Sequence, residues 1–366
     1  VDYPAWRFYG GGSEDSTVTI DGCHFKQFGL IRSNHPVVLP SMAVFSESLW
    51  TDSVPMGDSW AIPDEATETF LAYDTGVILG VFGSGFLLSG NHLDGRVYLG
   101  DTDGAKLSHN VFDGGIHQLP DEEFTGRFGF FESNLVRQRE NTAVVLKWGQ
   151  SARDNIFILD TVTQEPWFLV VWGGEGTDTH VEGNIFWLAQ GDADDILGEA
   201  IFVGHPDTGG VLDNHLHLVE NIVLPNNKGP NTSNNVSGQL FFLEDAFGVA
   251  VRAEKNTVFT NANGAIEIWP TGANYNAYLV KHNLFVGDSD GAAVKVRNPY
   301  FEQFQTNTWV LVEADYNGCW GCSDDQDYTN ILYFSYQALM DGQAPELDSS
   351  PGQNDVNDVD PDFVDW

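Results

Sequence analysis

One asparagine-centred pattern returns nine times along this chain: a small or polar pair, then Asn, then in most copies an apolar residue. It reads Ser-Gly-Asn91-His-Leu, Ser-His-Asn110-Val-Phe, Glu-Ser-Asn134-Leu-Val, Arg-Asp-Asn155-Ile-Phe, Glu-Gly-Asn184-Ile-Phe, Val-Glu-Asn221-Ile-Val, Glu-Lys-Asn256-Thr-Val, Lys-His-Asn283-Leu-Phe and Asp-Tyr-Asn317-Gly-Cys. Successive asparagines stand 19, 24, 21, 29, 37, 35, 27 and 34 residues apart. Such a repeat, built of short apolar segments and loops of unequal size, predicts a solenoid of stacked coils rather than a closed globular sheet.

Within one period the segments keep a fixed order, clearest in the C-terminal half. Residues 264–269 read as a strand, a Pro-Thr-Gly turn follows, and 277–282 read as a second strand that bends at Asn283. Residues 284–286 make a third strand, and Gly-Asp-Ser-Asp leads into the next coil at 292–297. Three short strands per coil, alternating in polarity and punctuated by Gly, Asn and Asp, give a β-solenoid. Asn is expected at the bend because it tolerates left-handed backbone angles and because its amide can bond the equivalent Asn one coil away. A stack of such amides satisfies polar groups that would be costly inside the solenoid.

This pattern resembles the right-handed parallel β-helix proteins of the pectate-lyase-like superfamily, which often carry an asparagine ladder between the second and third strands. The resemblance covers roughly residues 75–366 and includes a closing segment made of Glu313-Ala-Asp-Tyr-Asn317, Phe334-Ser-Tyr-Gln-Ala-Leu339 and Asp360-Pro-Asp-Phe-Val-Asp365. It implies an all-β chain folded as a single-stranded right-handed parallel β-helix. Residues 1–75 are expected to form an N-terminal cap, 76–318 the helix and 319–366 the closing segment. A cap is needed because an open solenoid end exposes strand edges and apolar core. Asp21-Gly-Cys23-His-Phe25 reads as a first coil with Cys23 in the asparagine slot. The superfamily includes lyases, hydrolases, epimerases, adhesins and structural proteins, so the likeness narrows fold more than function.

The chain carries 53 acidic and 16 basic residues, a formal charge of −37. That balance argues against nucleic acid and anionic membrane surfaces as partners. It makes a highly anionic glycan an awkward substrate unless cations intervene, and it also serves as solvation in a saline setting. The absence of a run of 18 apolar residues predicts no membrane insertion. The start at Val-Asp-Tyr-Pro reads as a mature secreted, extracellular form after removal of a signal. Cys319-Trp-Gly-Cys322 is expected to be a loop closed by a local disulfide, since no second cysteine pair completes a zinc site, and Cys23 a buried thiol.

Aligning the first strand of each coil names a candidate working face. With Val144/Leu146, Ile201/Val203, Phe241/Leu243, Ile266/Ile268 and Val294/Val296 inward, the outward row holds Lys147, Phe202, Glu244, Glu267, Trp269, Lys295 and Arg297. Trp148 and Trp172 end the same face and His205 follows at a turn, so Lys147, Trp148, Trp172, His205 and Trp269 are the expected glycan contacts. The family resemblance implies that this face holds a polysaccharide. Glu244 and Glu267 are expected as near neighbours, at the roughly 5–5.5 Å separation of a retaining glycosidase. Alternatively, Lys295 or Arg297 abstracts the proton next to a uronate carboxylate, the β-elimination that family analogy favours. A plain cross-coil ion pair between Glu267 and Lys295 is the structural reading of the same residues.

Acidic turns point to Ca²⁺. Gly100-Asp-Thr-Asp-Gly-Ala105 and Gly287-Asp-Ser-Asp-Gly-Ala292 are near copies in turn positions, and Asp192-Ala-Asp-Asp195 lies in a loop beside the proposed groove. The expected oxygen ligands are Asp192, Asp194, Asp195, Asp288 and Asp290. His215-Leu-His217 sets two imidazoles on one strand face, but a transition-metal site needs a third ligand that the sequence does not identify. Three functions follow: a polysaccharide-degrading enzyme, a non-catalytic adhesin using the same face, or a structural subunit that self-assembles through its acidic surface.

Overall fold

A computed structural model of the chain describes residues 17–21, 24–26, 30–31, 42–46, 49–51, 61–63, 70–72, 77–79, 87–93, 97–99, 105–113, 116–118, 128–138, 144–146, 148–159, 168–171, 178–188, 197–203, 214–224, 237–244, 249–259, 266–269, 275–289, 294–297, 309–322, 332–335 and 356–357. The chain divides into two compact units, residues 1–144 and 145–366.

In the second unit the chain visits three parallel sheets in rotation. The first sheet holds Val144–Leu146 at the unit boundary, Leu169–Val171, Leu197–Val203, Ser237–Glu244, Ile266–Trp269, Val294–Arg297 and Leu332–Ser335. The second holds Ser151–Arg153, Asp178–Glu182, Asn214–Val219, Val249–Glu254, Tyr275–Lys281 and Trp309–Asp315. The third holds Ile156–Leu159, Ile185–Leu188, Ile222–Leu224, Thr257–Phe259, Leu284–Ser289, Gly318–Cys322 and Val356–Asn357. Sequential strands that pair only with their counterparts one period later are the arrangement of a parallel β-helix.

The first unit repeats the scheme. Thr17–Asp21, Met42–Ser46, Leu87–Ser89, Ala105–Ser108 and Phe128–Glu132 pair in that order, as do His24–Lys26, Leu49–Thr51, His92–Leu93, Val111–Phe112 and Leu135–Gln138. Parallel strands of the repeating type therefore reach back to Thr17, into the region expected to cap the solenoid. Cys23 itself lies outside the described residues. Ala61–Pro63 and Phe70–Ala72 depart from the scheme as an antiparallel pair.

Strand alternation sets the core. On the second sheet Thr179, Val181, Leu216, Leu218, Val249, Val251 and Ala253 are buried, while the residues between them face outward. On the third sheet the residue two after each asparagine turns inward: Phe157, Phe186, Val223, Val258 and Phe285 are buried. Phe157 and Phe186 stack with ring centroids 5.1 Å apart and planes 8° from parallel, a contact worth roughly 0.5–1.5 kcal/mol beyond area burial.

All nine asparagines of the repeat are buried, none more than 2% exposed. Within the second unit the Nδ2 atoms of Asn155, Asn184, Asn221, Asn256 and Asn283 each donate to Oδ1 of the next asparagine at 2.9–3.0 Å. The backbone N–H of each donates to that same oxygen. The second Nδ2 proton of Asn184, Asn221, Asn256, Asn283 and Asn317 goes to the carbonyl three residues before the previous asparagine, on Ala152, Val181, Leu218, Ala253 and Val280. In the first unit Asn91, Asn110 and Asn134 form the same chain of amides.

One reason given for asparagine is corrected. The left-handed angle belongs to the residue before it: φ is +54° to +58° at His109, Ser133, Asp154, Glu220, Lys255, His282 and Tyr316, with Gly90 and Gly183 at the same slot. What asparagine supplies is its short amide, whose oxygen accepts from the coil before and whose two N–H donors complete the stack. Glycine relieves that slot at Gly183, where φ is +66° and an added Cβ would displace the exposed Asp154 carboxylate.

Cys319 and Cys322 also depart from expectation. They lie on the strand Gly318–Cys322, with Phe285 opposite Cys319 and Ser289 opposite Cys322. Three residues of extended strand separate their Cα atoms by about 10 Å, beyond the roughly 7 Å that a disulfide spans. The strand placement therefore argues against the local bridge.

Candidate functional site

The first sheet bears out the inward set where burial is described: Val144, Leu146, Ile201, Val203 and Ile266 are fully buried, and Leu169 and Val171, outside that set, join them. Between these columns the register aligns Val170, Phe202, Phe242, Glu267, Lys295 and Tyr333, one residue per coil. Glu267 and Lys295 are thus backbone partners on adjacent strands. Arg297 is paired with Ser335.

Two expectations for this face fail. Glu244 pairs with Trp269, and Glu267 with Phe242, so the two glutamates are offset by two residues along the strand. Such diagonal positions stand roughly 7–8 Å apart at the backbone, so the two glutamates are not the direct cross-strand neighbours expected. Trp148 is 0% exposed in the turn after Val144–Leu146 and packs as core. A fully buried indole offers no face to a sugar. Lys147, Trp172, His205, Asp192, Asp194, Asp195 and Asp290 lie outside the described residues. Asp288 belongs to the strand Leu284–Ser289, at a register irregularity between Val286 and Ser289, rather than to a turn.

The second sheet gathers a group that sequence reading left incomplete. Its register sets Asp178 opposite His215 and His180 opposite His217. Because His215 and His217, like Asp178 and His180, are two residues apart on one strand, the four occupy the corners of one outward rectangle. The Asp178 carboxylate reaches both imidazoles of the next strand: Oδ1 is 3.1 Å from Nδ1 of His215 and 3.6 Å from Nε2 of His217. Asp178, His215 and His217 each offer one ligand atom, all within 4.8 Å of one another.

The surroundings fix this group. The His180 ring stacks on His217 with centroids 4.6 Å apart and planes 9° from parallel. Nδ1 of His180 is held by Oε1 of Glu182 at 2.8 Å, and Nε of Arg153 lies 3.1 Å from the other oxygen of Glu182, an ion pair without an aligned hydrogen bond. Arg252, the register partner of His217, is tied to Glu254 at 2.7 Å. Partial burial holds the His217 imidazole below its ordinary pKa, the neighbouring His180 adds to that, and the Asp178 carboxylate opposes it. The neutral ring is thereby favoured, the form that ligates metal.

The third ligand was hidden by distance in sequence, since Asp178 and His215 are 37 residues apart. Aligning coils on Asn184 and Asn221 would have revealed it. Asp178 and His215 each stand six residues before their asparagine, and His180 and His217 each stand four before.

Comparisons of this chain with protein-family models, with curated proteins and with solved structures find no match. Among the described residues no helix is long and apolar enough to cross a membrane.

Proposed function

We propose that this chain is a secreted right-handed parallel β-helix of the pectate-lyase-like kind that binds a polysaccharide along the outward face of its first sheet and cleaves it by β-elimination. The observation that supports this is the column Phe202, Phe242, Glu267, Lys295 and Tyr333 in continuous parallel register. Side chains repeating every 4.8 Å or so along a solenoid axis suit an extended chain ligand, with aromatic rings for sugar faces and charges for orientation. The diagonal rather than direct placement of Glu244 and Glu267 favours elimination over retaining hydrolysis in this reading.

In the elimination, Lys295 or Arg297 takes the proton on the carbon next to the uronate carboxylate. The electron pair left behind forms the carbon–carbon double bond as the glycosidic oxygen departs. At a net charge of −37 the chain repels a polyuronate, so Ca²⁺ at its acidic turns is part of the proposal, offsetting the substrate carboxylates.

Incubating the purified chain and Ca²⁺ with a panel of uronate and neutral glycans tests this. Release of unsaturated, ultraviolet-absorbing ends supports elimination. Retention of glycan without product supports a binding protein only. Neither binding nor product from any glycan rejects the reading.

A further inference from the structure

We propose that Asp178, His215 and His217, on the outward face of the second sheet, form a site for one divalent transition ion of the Zn²⁺ class. This site lies on a different sheet from the proposed glycan face and stands independently of it.

The donor set selects the ion. Two imidazoles and one carboxylate suit Zn²⁺, Co²⁺, Ni²⁺ or Cu²⁺, whereas Ca²⁺ and Mg²⁺ demand shells of oxygen. The spacing agrees. Zn²⁺ takes His nitrogen and carboxylate oxygen at about 2.0–2.2 Å in a tetrahedron, whose ligand atoms are then about 3.4 Å apart. The Asp178–His215 and Asp178–His217 separations of 3.1 and 3.6 Å already bracket that edge. Only the edge between the two imidazoles has to close, and all three atoms start within 4.8 Å.

The scaffold is preorganised on rigid strands rather than loops. Leu216, between the two histidines, and Thr179, beside Asp178, are both fully buried, so alternation fixes the outward direction of the ligands. His180 is a positioning residue: its ring packs flat on His217 and is anchored by its hydrogen bond with Glu182. Charged neighbours are themselves paired, Arg252 with Glu254 and Arg153 with Glu182. Three protein ligands on an exposed face leave a coordination position open to water or to an incoming ligand, the pattern of reactive rather than purely structural zinc sites.

The test uses the full chain stripped with chelator and titrated with Zn²⁺ by calorimetry and with Co²⁺ by visible absorption. The expected result is one tight ion per chain and a Co²⁺ band free of thiolate charge transfer. His215→Ala, His217→Ala and Asp178→Asn should each weaken binding at least about 10-fold, and His180→Ala by less than these. His92→Ala, an exposed histidine elsewhere, should leave Zn²⁺ binding unchanged. Excess Ca²⁺ should not displace the ion. Melting temperatures of the stripped variants should match the parent, because the ligands are half-buried or exposed, while Zn²⁺ should raise the melting temperature of the parent and not of His215→Ala/His217→Ala. Equal Zn²⁺ affinity and stoichiometry in the parent and that double variant would overturn the site, assigning the uptake to the general acidity of the chain.

Discussion

Asn221 gives Asn256 two hydrogen bonds at one oxygen: its backbone N–H reaches Oδ1 at 2.9 Å and its Nδ2 at 3.0 Å. The same oxygen thus terminates a backbone donor and a side-chain donor that are both sealed from water. Replacing Asn256 with Ala strands both donors on Asn221 and frees the Leu218 carbonyl. Each buried orphan costs roughly 1–3 kcal/mol, so Asn256→Ala should lower stability by about 3 kcal/mol or more in denaturant unfolding. Asn256→Asp should be as damaging, because it removes the donor to Leu218 and adds a buried charge. A loss under about 1 kcal/mol in both would show that the stack contributes little.

The slot before each asparagine carries the backbone strain. Glu220 and Lys255 sit at φ of +57°, a conformation that costs a non-glycine residue roughly 1–2 kcal/mol. Glu220→Gly should therefore hold or raise stability, even though it breaks the exposed ion pair with Lys255, since surface pairs contribute little. Gly183→Ala should do the reverse, losing about 1 kcal/mol through its positive φ while the exposed Asp154 side chain swings aside. Thermal melts of the two variants should shift in opposite directions.

The ladder was legible in the sequence because a buried amide has few substitutes, so the asparagine persists while its surroundings vary. The strained slot was not legible, because His, Ser, Asp, Glu, Lys and Tyr share no propensity that marks it. First-sheet register was legible too, despite unequal loops: Phe241 and Leu243 pair with Ile266 and Ile268, and these with Val294 and Val296, as their alternation indicates. Only the adjacency of Glu244 and Glu267 did not follow from that alignment, which sets Glu244 against Trp269. The second sheet runs directly into the asparagine with no loop between, and there the alignment holds to the residue, as the Asp178 and His215 pairing demonstrates. Cys319 and Cys322 were assigned to a loop on their spacing alone, a signal weaker than the parallel register that extends the third sheet through them.

The strand placement of these cysteines has its own consequence. The chain holds three cysteines; with no bridge between Cys319 and Cys322, both should react with a thiol reagent in denaturant without prior reduction. Reductant should leave the melting temperature unchanged. Mass spectrometry recovering a linked Cys319–Cys322 peptide would contradict the strand.

His217 gives the metal-free protein a pH signature. Its folded pKa lies below the ordinary 6.5 through burial and the adjacent His180, against the pull of Asp178. His215, Arg252, Glu182 and Glu254 complete its charged surroundings. Between that lowered value and 6.5 the unfolded chain binds a proton that the folded chain refuses, so stability falls as pH drops through this window and levels off below it. In chelator, urea midpoints between about pH 8 and about pH 5 should decline less in His217→Gln than in the parent. Parallel curves would remove His217 as the cause.

The claim that the first-sheet column is a glycan face is tested most directly by affinity for the best ligand of the glycan panel in the parent, Lys295→Ala and Phe242→Ala. Loss of a charged contact is worth roughly 1.5–3 kcal/mol, so Lys295→Ala should weaken binding about 10-fold or more, and Phe242→Ala by a smaller factor. Melting temperatures should be nearly unchanged for Lys295→Ala. Parent-like affinity in both variants would place the glycan elsewhere and contradict the account.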